Sequence, residues 1–221
     1  TRGWFFTLHA IATMVFDSVA YKNVVSNGLV LDKNGNKMSK SLGNVVSPEE
    51  VIEKYGADVL RFYLLWASKP WDDLKFVWAE ILNINKMFNI LWNVYVFSTT
   101  YMSLDDFNPV GLGENDMILR TEDKWIISKL NNLVKEVTDN MDSFELGIAV
   151  QKVHDFIWDE FCDWYIEMVK PRLYNSDDAE SQNAALWTLK NVLIDALKLL
   201  HPYMPFITED IFCTLQSEEE S

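Results

Sequence analysis

Cysteine is almost missing from this 221-residue chain: only Cys162 and Cys213 occur, neither with a partner at metal-ligand spacing. That excludes a disulfide framework and a sequence-local zinc site, and it fits a reducing, cytoplasmic compartment. Histidine is as sparse. His9, His154 and His201 lie far apart with no nucleophile beside them, so no triad is legible and each reads first as structural. No apolar run approaches the roughly 18 residues of a membrane span, so no membrane role is expected. The opening residues Thr1-Arg2-Gly3-Trp4 lack an initiator Met and a signal-peptide pattern, and the expectation is a piece cut from a longer chain.

Positive charge is short as well. The chain holds 19 basic and 33 acidic side chains, a net charge of −14, whereas a generic nucleic-acid binder is basic. Residues 1–118 carry 10 basic and 13 acidic side chains; residues 119–221 carry 9 and 20. Any RNA contact in the second half must therefore use a local patch and not the overall field. The chain is 49% hydrophobic and 14% aromatic, enough to bury a core in one large or two modest domains.

One window runs against this acidity. Lys33 to Pro48 contains three lysines and no carboxylate. At its centre, Lys37-Met38-Ser39-Lys40-Ser41, continued by Leu42-Gly43-Asn44, sets two ammonium groups three residues apart beside two hydroxyls. A polyphosphate suits such a loop, because a lysine is a point charge that can follow a moving phosphate. A solvated basic turn fits the same residues, and chemistry alone leaves both readings open.

Periodicity predicts a helix over Trp4 to Phe16, with Trp4, Leu8, Ile11, Ala12 and Val15 at helical spacing. Leu29-Val30-Leu31 reads as a short strand, and Asn34-Gly35 as a turn. Ser47-Pro48-Glu49-Glu50 predicts a capped helix start with Glu50 closing a capping box; Gly56 ends that helix and a second runs from Ala57 to Trp66. Ser68 to Asp73 reads as a loop. A long helix over 76–101 carries Ile81, Ile84, Phe88, Leu91, Trp92 and Tyr95 as its apolar stripe. Residues 103–118 read as a linker. Further helices are expected from Thr121 to Asn140, from Phe144 to Val169 with Trp164 facing inward and Pro171 as its bound, from Ser181 to Leu200, and after Pro205. Four such helices read as a bundle, and Ser217 to Ser221 as a frayed tail.

Taken together, the order of these features resembles a class I aminoacyl-tRNA synthetase of the branched-chain amino acid group. Lys37-Met38-Ser39-Lys40-Ser41 matches that class's second signature letter for letter. Asn27-Gly28-Leu29-Val30-Leu31-Asp32, Leu42-Gly43-Asn44 and Lys54-Tyr55-Gly56-Ala57-Asp58-Val59-Leu60-Arg61 flank it as they do in that group. Leu64 to Leu74 and the opening Thr1-Arg2-Gly3-Trp4-Phe5-Phe6 are similar to the isoleucyl members. Phe156 to Ile166 and His201-Pro202-Tyr203-Met204-Pro205-Phe206 are more similar to the valyl members. The blocks beside the amino-acid pocket carry more weight, so isoleucine is the expected substrate and valine the alternative, with a non-catalytic tRNA-binding module as a third reading.

The resemblance implies a mainly α fold: the C-terminal end of a Rossmann-type α/β catalytic domain, then an antiparallel α-helix bundle. It implies a catalytic edge with the lysine loop at 1–46, a helical connecting region at 47–115 and an anticodon-binding bundle at 116–221. It further implies ATP with Mg2+, isoleucine, and tRNA as the partner bound through its anticodon stem-loop. Lys37 and Lys40 are then the catalytic candidates, Lys37, Met38, Ser39, Lys40 and Ser41 the ATP loop, and Trp4 a wall of the amino-acid pocket, with a core tryptophan as the competing reading. Lys170, Arg172, Trp164 and Tyr165 form the best candidate patch for tRNA: charge for phosphate, aromatic surface for splayed bases. No protein metal ligand is expected. The class's other signature, His-x-Gly-His, does not occur in these residues, so the 221-residue chain alone is not expected to aminoacylate.

Overall fold

Helix α1, Trp4–Phe16, has the bounds its periodicity predicts, yet none of its residues is buried. In the computed structural model, which describes residues 3–104, 112–174 and 177–215, Trp4, Phe6, Ile11 and Phe16 are more than half exposed. The helical spacing is real, but nothing among the described residues covers that face. Trp4, read either as a pocket wall or as a core tryptophan, has no covering residue among those described. Thr1, Arg2, residues 105–111 of the 103–118 linker and the Ser217–Ser221 tail lie outside the described residues.

Strand β1, Val30–Leu31, pairs in parallel with β2, Leu74–Lys75, and no other strand occurs among the described residues. Gly28 makes this approach feasible. Its amide donates to Pro70 O at 2.9 Å, and a Cβ there would sit 2.0 Å from the Asp72 carbonyl oxygen. The pairing continues through Leu74 N–H to Leu29 O at 2.8 Å and Phe76 N–H to Leu31 O at 2.9 Å. This strand lies between the expected loop, Ser68 to Asp73, and the long helix, which begins at Trp78.

Helices α2, Pro48–Tyr55, and α3, Ala57–Trp66, meet at Gly56, whose φ of 89° suits glycine. Ser47 caps α2 by accepting the Glu49 amide at 3.3 Å. Glu50 does not close a capping box; it pairs with Lys54 one turn on, at 2.8 Å. Buried Tyr63 of α3 ties β2 to α4, Trp78–Leu104: its hydroxyl donates to Lys75 O and accepts from Val77 N–H, both at 3.0 Å. In α4, Ile81, Ile84 and Leu91 are core, whereas Trp92 is exposed.

The second half is helical: α5, Thr121–Asp142; α6, Leu146–Asp155; a π-helical stretch, Phe156–Ile166; α7, Glu167–Leu173; α8, Ala179–Leu200; and α9, Pro205–Leu215. The expected inward residues of α5, Ile126, Leu130, Leu133 and Val137, are all buried. The wider π turns shift which side chains face in: Trp164 is 62% exposed and Tyr165 fully buried, which reverses the inward reading of Trp164. Pro171 lies inside α7 and does not bound it; the helix continues as far as Leu173. No helix among the described residues is long and apolar enough to cross a membrane.

The two halves are knit at α3. Asp58 accepts the amides of Phe206 and Ile207 at 3.3 and 2.7 Å, capping α9 from a distant helix. Arg61 donates to Pro202 O at 2.9 Å and Tyr203 O at 3.3 Å. Gly147 of α6 faces Leu65 O so closely that a Cβ would lie 3.1 Å from it.

Candidate functional site: the lysine loop and the helical surface

The loop begins from a rigid turn. Asp32 accepts the amides of Asn34 and Asn36 through one oxygen, at 2.9 and 2.8 Å. Its other oxygen accepts from Asn44 Nδ2 at 2.9 Å. Gly35, at φ 84°, closes the turn by donating to Asp32 O at 2.9 Å. These donors, the Asn44 amide foremost, hold the Asp32 carboxyl below its ordinary range.

Asn44 also grips the loop. Its Oδ1 accepts the Ser39 amide at 2.8 Å and its Nδ2 donates to Lys37 O at 3.2 Å. Lys37 pairs with Leu31 through an isolated antiparallel bridge, and Met38 packs against the core. Beyond Ser39 the chain enters one 3-10 turn, Lys40–Leu42, ended by Gly43 at φ 62°. The Ser39 and Ser41 hydroxyls lie 2.8 Å apart.

Lys37 and Lys40 are both exposed, and neither has an ion-pair partner among the described residues. The donor set is two ammonium groups and two hydroxyls, with the one nearby carboxylate already saturated. It fits a triphosphate group. It does not fit a bound metal: no three His, Cys, Asp or Glu side chains among the described residues come together to hold one. No residue here is therefore assigned to magnesium.

Trp4 lies on the uncovered α1, its ring 4.0 Å from that of Phe5. Phe5 O in turn accepts from the Tyr21 hydroxyl at 3.3 Å.

The candidate tRNA patch does not survive as a set. Arg172 is 8% exposed. It donates to both oxygens of fully buried Asp123 at 2.9 Å, to Glu122 at 2.7 Å, and to Ser181 Oγ and O at 2.9 and 2.8 Å. Tyr165, also buried, donates to Asp123 at 2.7 Å. Burial and the Asp123 charge push its phenol well above the ordinary value. Both residues serve the interior, so their reading as surface contacts is corrected. Lys170 is bound to Glu167 one turn earlier, and only Trp164 keeps an open aromatic face. The only local cue to this network was the acid-rich start of α5, since Asp123 and Arg172 are 49 positions apart.

Two further cations in this half are also engaged. Lys129 pairs with Glu160 at 2.8 Å and Lys152 with Glu136 at 2.5 Å. They line an open groove of about 410 Å³ between α5 and the α6–π segment.

A family model described as tRNA synthetases class I (I, L, M and V) matches residues 1–77, and one for the anticodon-binding domain of tRNA ligase matches residues 123–221. The chain is 50% identical over 215 residues to the isoleucine–tRNA ligase of Methanothermobacter thermautotrophicus, covering 97% of this chain and 21% of that protein. It is 45% identical over 209 residues to the isoleucine–tRNA ligase of Pyrococcus furiosus, covering 95% and 20%. The chain thus spans about a fifth of the length of the curated relatives it matches. Among solved structures, LeuRS of Agrobacterium radiobacter K84, in a ternary complex with tRNA and LeuAMS, shares the fold at a TM-score of 0.74 and 20% identity, covering 98% of this chain and 26% of that one. Methionyl-tRNA synthetase of Mycobacterium tuberculosis, with methionyl-adenylate, gives 0.74 at 22% identity, covering 88% and 38%.

Proposed function

The chain belongs to the class I tRNA synthetases of the isoleucine, leucine, methionine and valine group, and from that premise we propose that it is the part of an isoleucine–tRNA ligase that grips ATP and meets the anticodon stem. The observation that carries this reading is the lysine loop: two exposed ammonium groups without ionic partners among the described residues, set on a hydrogen-bonded base in an otherwise acidic protein. The finer architecture belongs to the same proposal. The uncovered α1 and strand β1 are read as the C-terminal edge of a Rossmann-type layer over residues 1–46, onto which β2 pairs from the region that follows. Residues 47–115 are read as the connecting helical region, and 116–221 as an antiparallel anticodon-binding bundle. A cytoplasmic setting goes with it.

In the proposed reaction the carboxylate of isoleucine attacks the α-phosphorus of ATP and pyrophosphate departs; the adenylate then passes its acyl group to a terminal hydroxyl of tRNA, the acyl–phosphate bond breaking to release AMP. The first step builds negative charge on the phosphorus centre and the leaving group, so positioned cations matter more than an acid–base pair. Lys40 offsets charge on the phosphates, with Lys37 second. Ser39 and Ser41 donate hydroxyls, and Met38 holds the strand of the loop to the core. Magnesium would add charge neutralisation when bound with ATP. Trp4 lines one side of the amino-acid pocket. On the helical surface Lys170 and Trp164 meet tRNA, with Arg172 and Tyr165 supporting α7 from within.

The test is ATP–pyrophosphate exchange by the intact protein with isoleucine or valine as the amino acid. The proposal expects a higher kcat/KM with isoleucine. A higher value with valine would move the substrate assignment, and exchange with neither would defeat the ligase reading.

A further inference from the structure

We infer that Asp32 and Asn44 are positioning residues that latch the base of the lysine loop, dividing it into a fixed part bearing Lys37 and a moving turn bearing Lys40. The inference rests on the ATP-loop reading above and gives its two lysines different tasks. The amide of Asn44 is spent entirely on the base: Oδ1 on the Ser39 N–H, Nδ2 on Asp32 Oδ2 and on Lys37 O. Asp32 is itself fixed by the amides of Asn34 and Asn36. Lys37 therefore sits on backbone held from two sides, by Asn44 at its carbonyl and by Leu31 in the β-bridge. Met38, packed on the core, pins the next position.

Less holds the turn that follows: among the described residues its one side-chain tie to the base is the Ser41 hydroxyl, 2.8 Å from that of Ser39. Lys40, Ser41, Leu42 and Gly43 are exposed. The turn's backbone bonds are internal, Leu42 N–H to Ser39 O at 3.1 Å and Gly43 N–H to Lys40 O at 3.3 Å. Gly43 in the left-handed region and Ser39 in an extended conformation bracket it as hinges. A rigid-body swing about these two points moves Lys40 and Ser41 without disturbing Lys37. Lys37 then supplies charge at a preset place, and Lys40 arrives with the closing turn.

The bond between Asp32 and Asn44 runs from an amide donor to a carboxylate acceptor, so it can be inverted. Asn44→Asp keeps the acceptor for Ser39 but sets two carboxylates face to face. Asp32→Asn in the same protein restores a donor opposite an acceptor. The experiment is ATP–pyrophosphate exchange by the intact protein carrying each single change and both together, with thermal midpoints to separate folding from function. Asn44→Asp is expected to lower kcat about tenfold or more, with KM for isoleucine unchanged. The double variant is expected to recover part of that loss, because the contact between positions 32 and 44 returns while the Lys37 carbonyl stays without its donor. An unaltered kcat in Asn44→Asp, or a double variant no better than Asn44→Asp, overturns the latch.

A second measurement needs no variant. Hydrogen exchange on the unmutated protein should protect the Ser39 amide more than the Gly43 amide, and the reverse order overturns the division of the loop. If the unmutated protein shows no isoleucine-dependent exchange, the ligase reading falls while the amide comparison still decides the latch.

Discussion

Asp58, on α3, accepts the Ile207 amide at 2.7 Å across 149 positions of sequence. The block Lys54 to Arg61 and the block His201 to Phe206 are far apart in sequence, 142 positions from Arg61 to Tyr203, yet Asp58 and Arg61 of the first clasp the second. Helix α3, the second helix after the lysine loop, is thereby fixed to the α8–α9 corner of the helical half.

This clasp predicts that Asp58→Ala destabilises the protein by about 1–2 kcal/mol, the usual loss on removing a helix N-cap. Urea unfolding measures it. An unchanged midpoint would mean that α9 is capped by other means.

Arg172 predicts a larger loss. With Arg172→Ala the buried Asp123 carboxylate has no cation beside it, and breaking a buried pair in this way costs about 3–5 kcal/mol. Arg172→Lys should fall between, because lysine lacks the two-pronged geometry that both Asp123 oxygens accept. If Arg172→Ala weakened tRNA binding with no change in unfolding midpoint, the surface role would return.

Gly28 tests the strand pairing. An alanine Cβ would meet backbone 2.0 Å away, so Gly28→Ala must push β1 from β2, a strain of about 1–3 kcal/mol or more. A variant as stable as the parent would contradict the close approach.

The Asp32 turn has a pH dependence of definite sign. Its folded pKa is depressed, so its contribution is present above the ordinary carboxylate range and is lost as pH falls through the lowered value. Amide exchange at Asn34, Asn36 and Ser39 should therefore stay slow at neutral pH and accelerate beyond its intrinsic trend only in acid. Loosening already near pH 6 would exclude Asp32 as the anchor.

The readable parts of this chain were those written locally. The bounds of α1, the Ser47 start and Gly56 break around α2, and the inward stripe of α5 follow from caps, glycine and a 3.6-residue period. What escaped is non-local or breaks that period. β2 is two residues long and meets β1 across more than forty positions, too short for any alternating pattern. The π-helical stretch exchanges Trp164 for Tyr165 at the core, which a fixed period cannot foresee. Arg172 read as a surface cation because nothing near it in sequence names Asp123 as its partner. The lysine motif was legible as chemistry; that Asn44 reaches back to Asp32 and Lys37 was not.

The most direct measurement of the central claim is isoleucine-dependent ATP–pyrophosphate exchange by the intact protein with Lys40→Ala. The account predicts that kcat falls about a hundredfold or more while KM for isoleucine and the unfolding midpoint stay as they were. Exchange at the parent rate would show that the loop does not act on the phosphates.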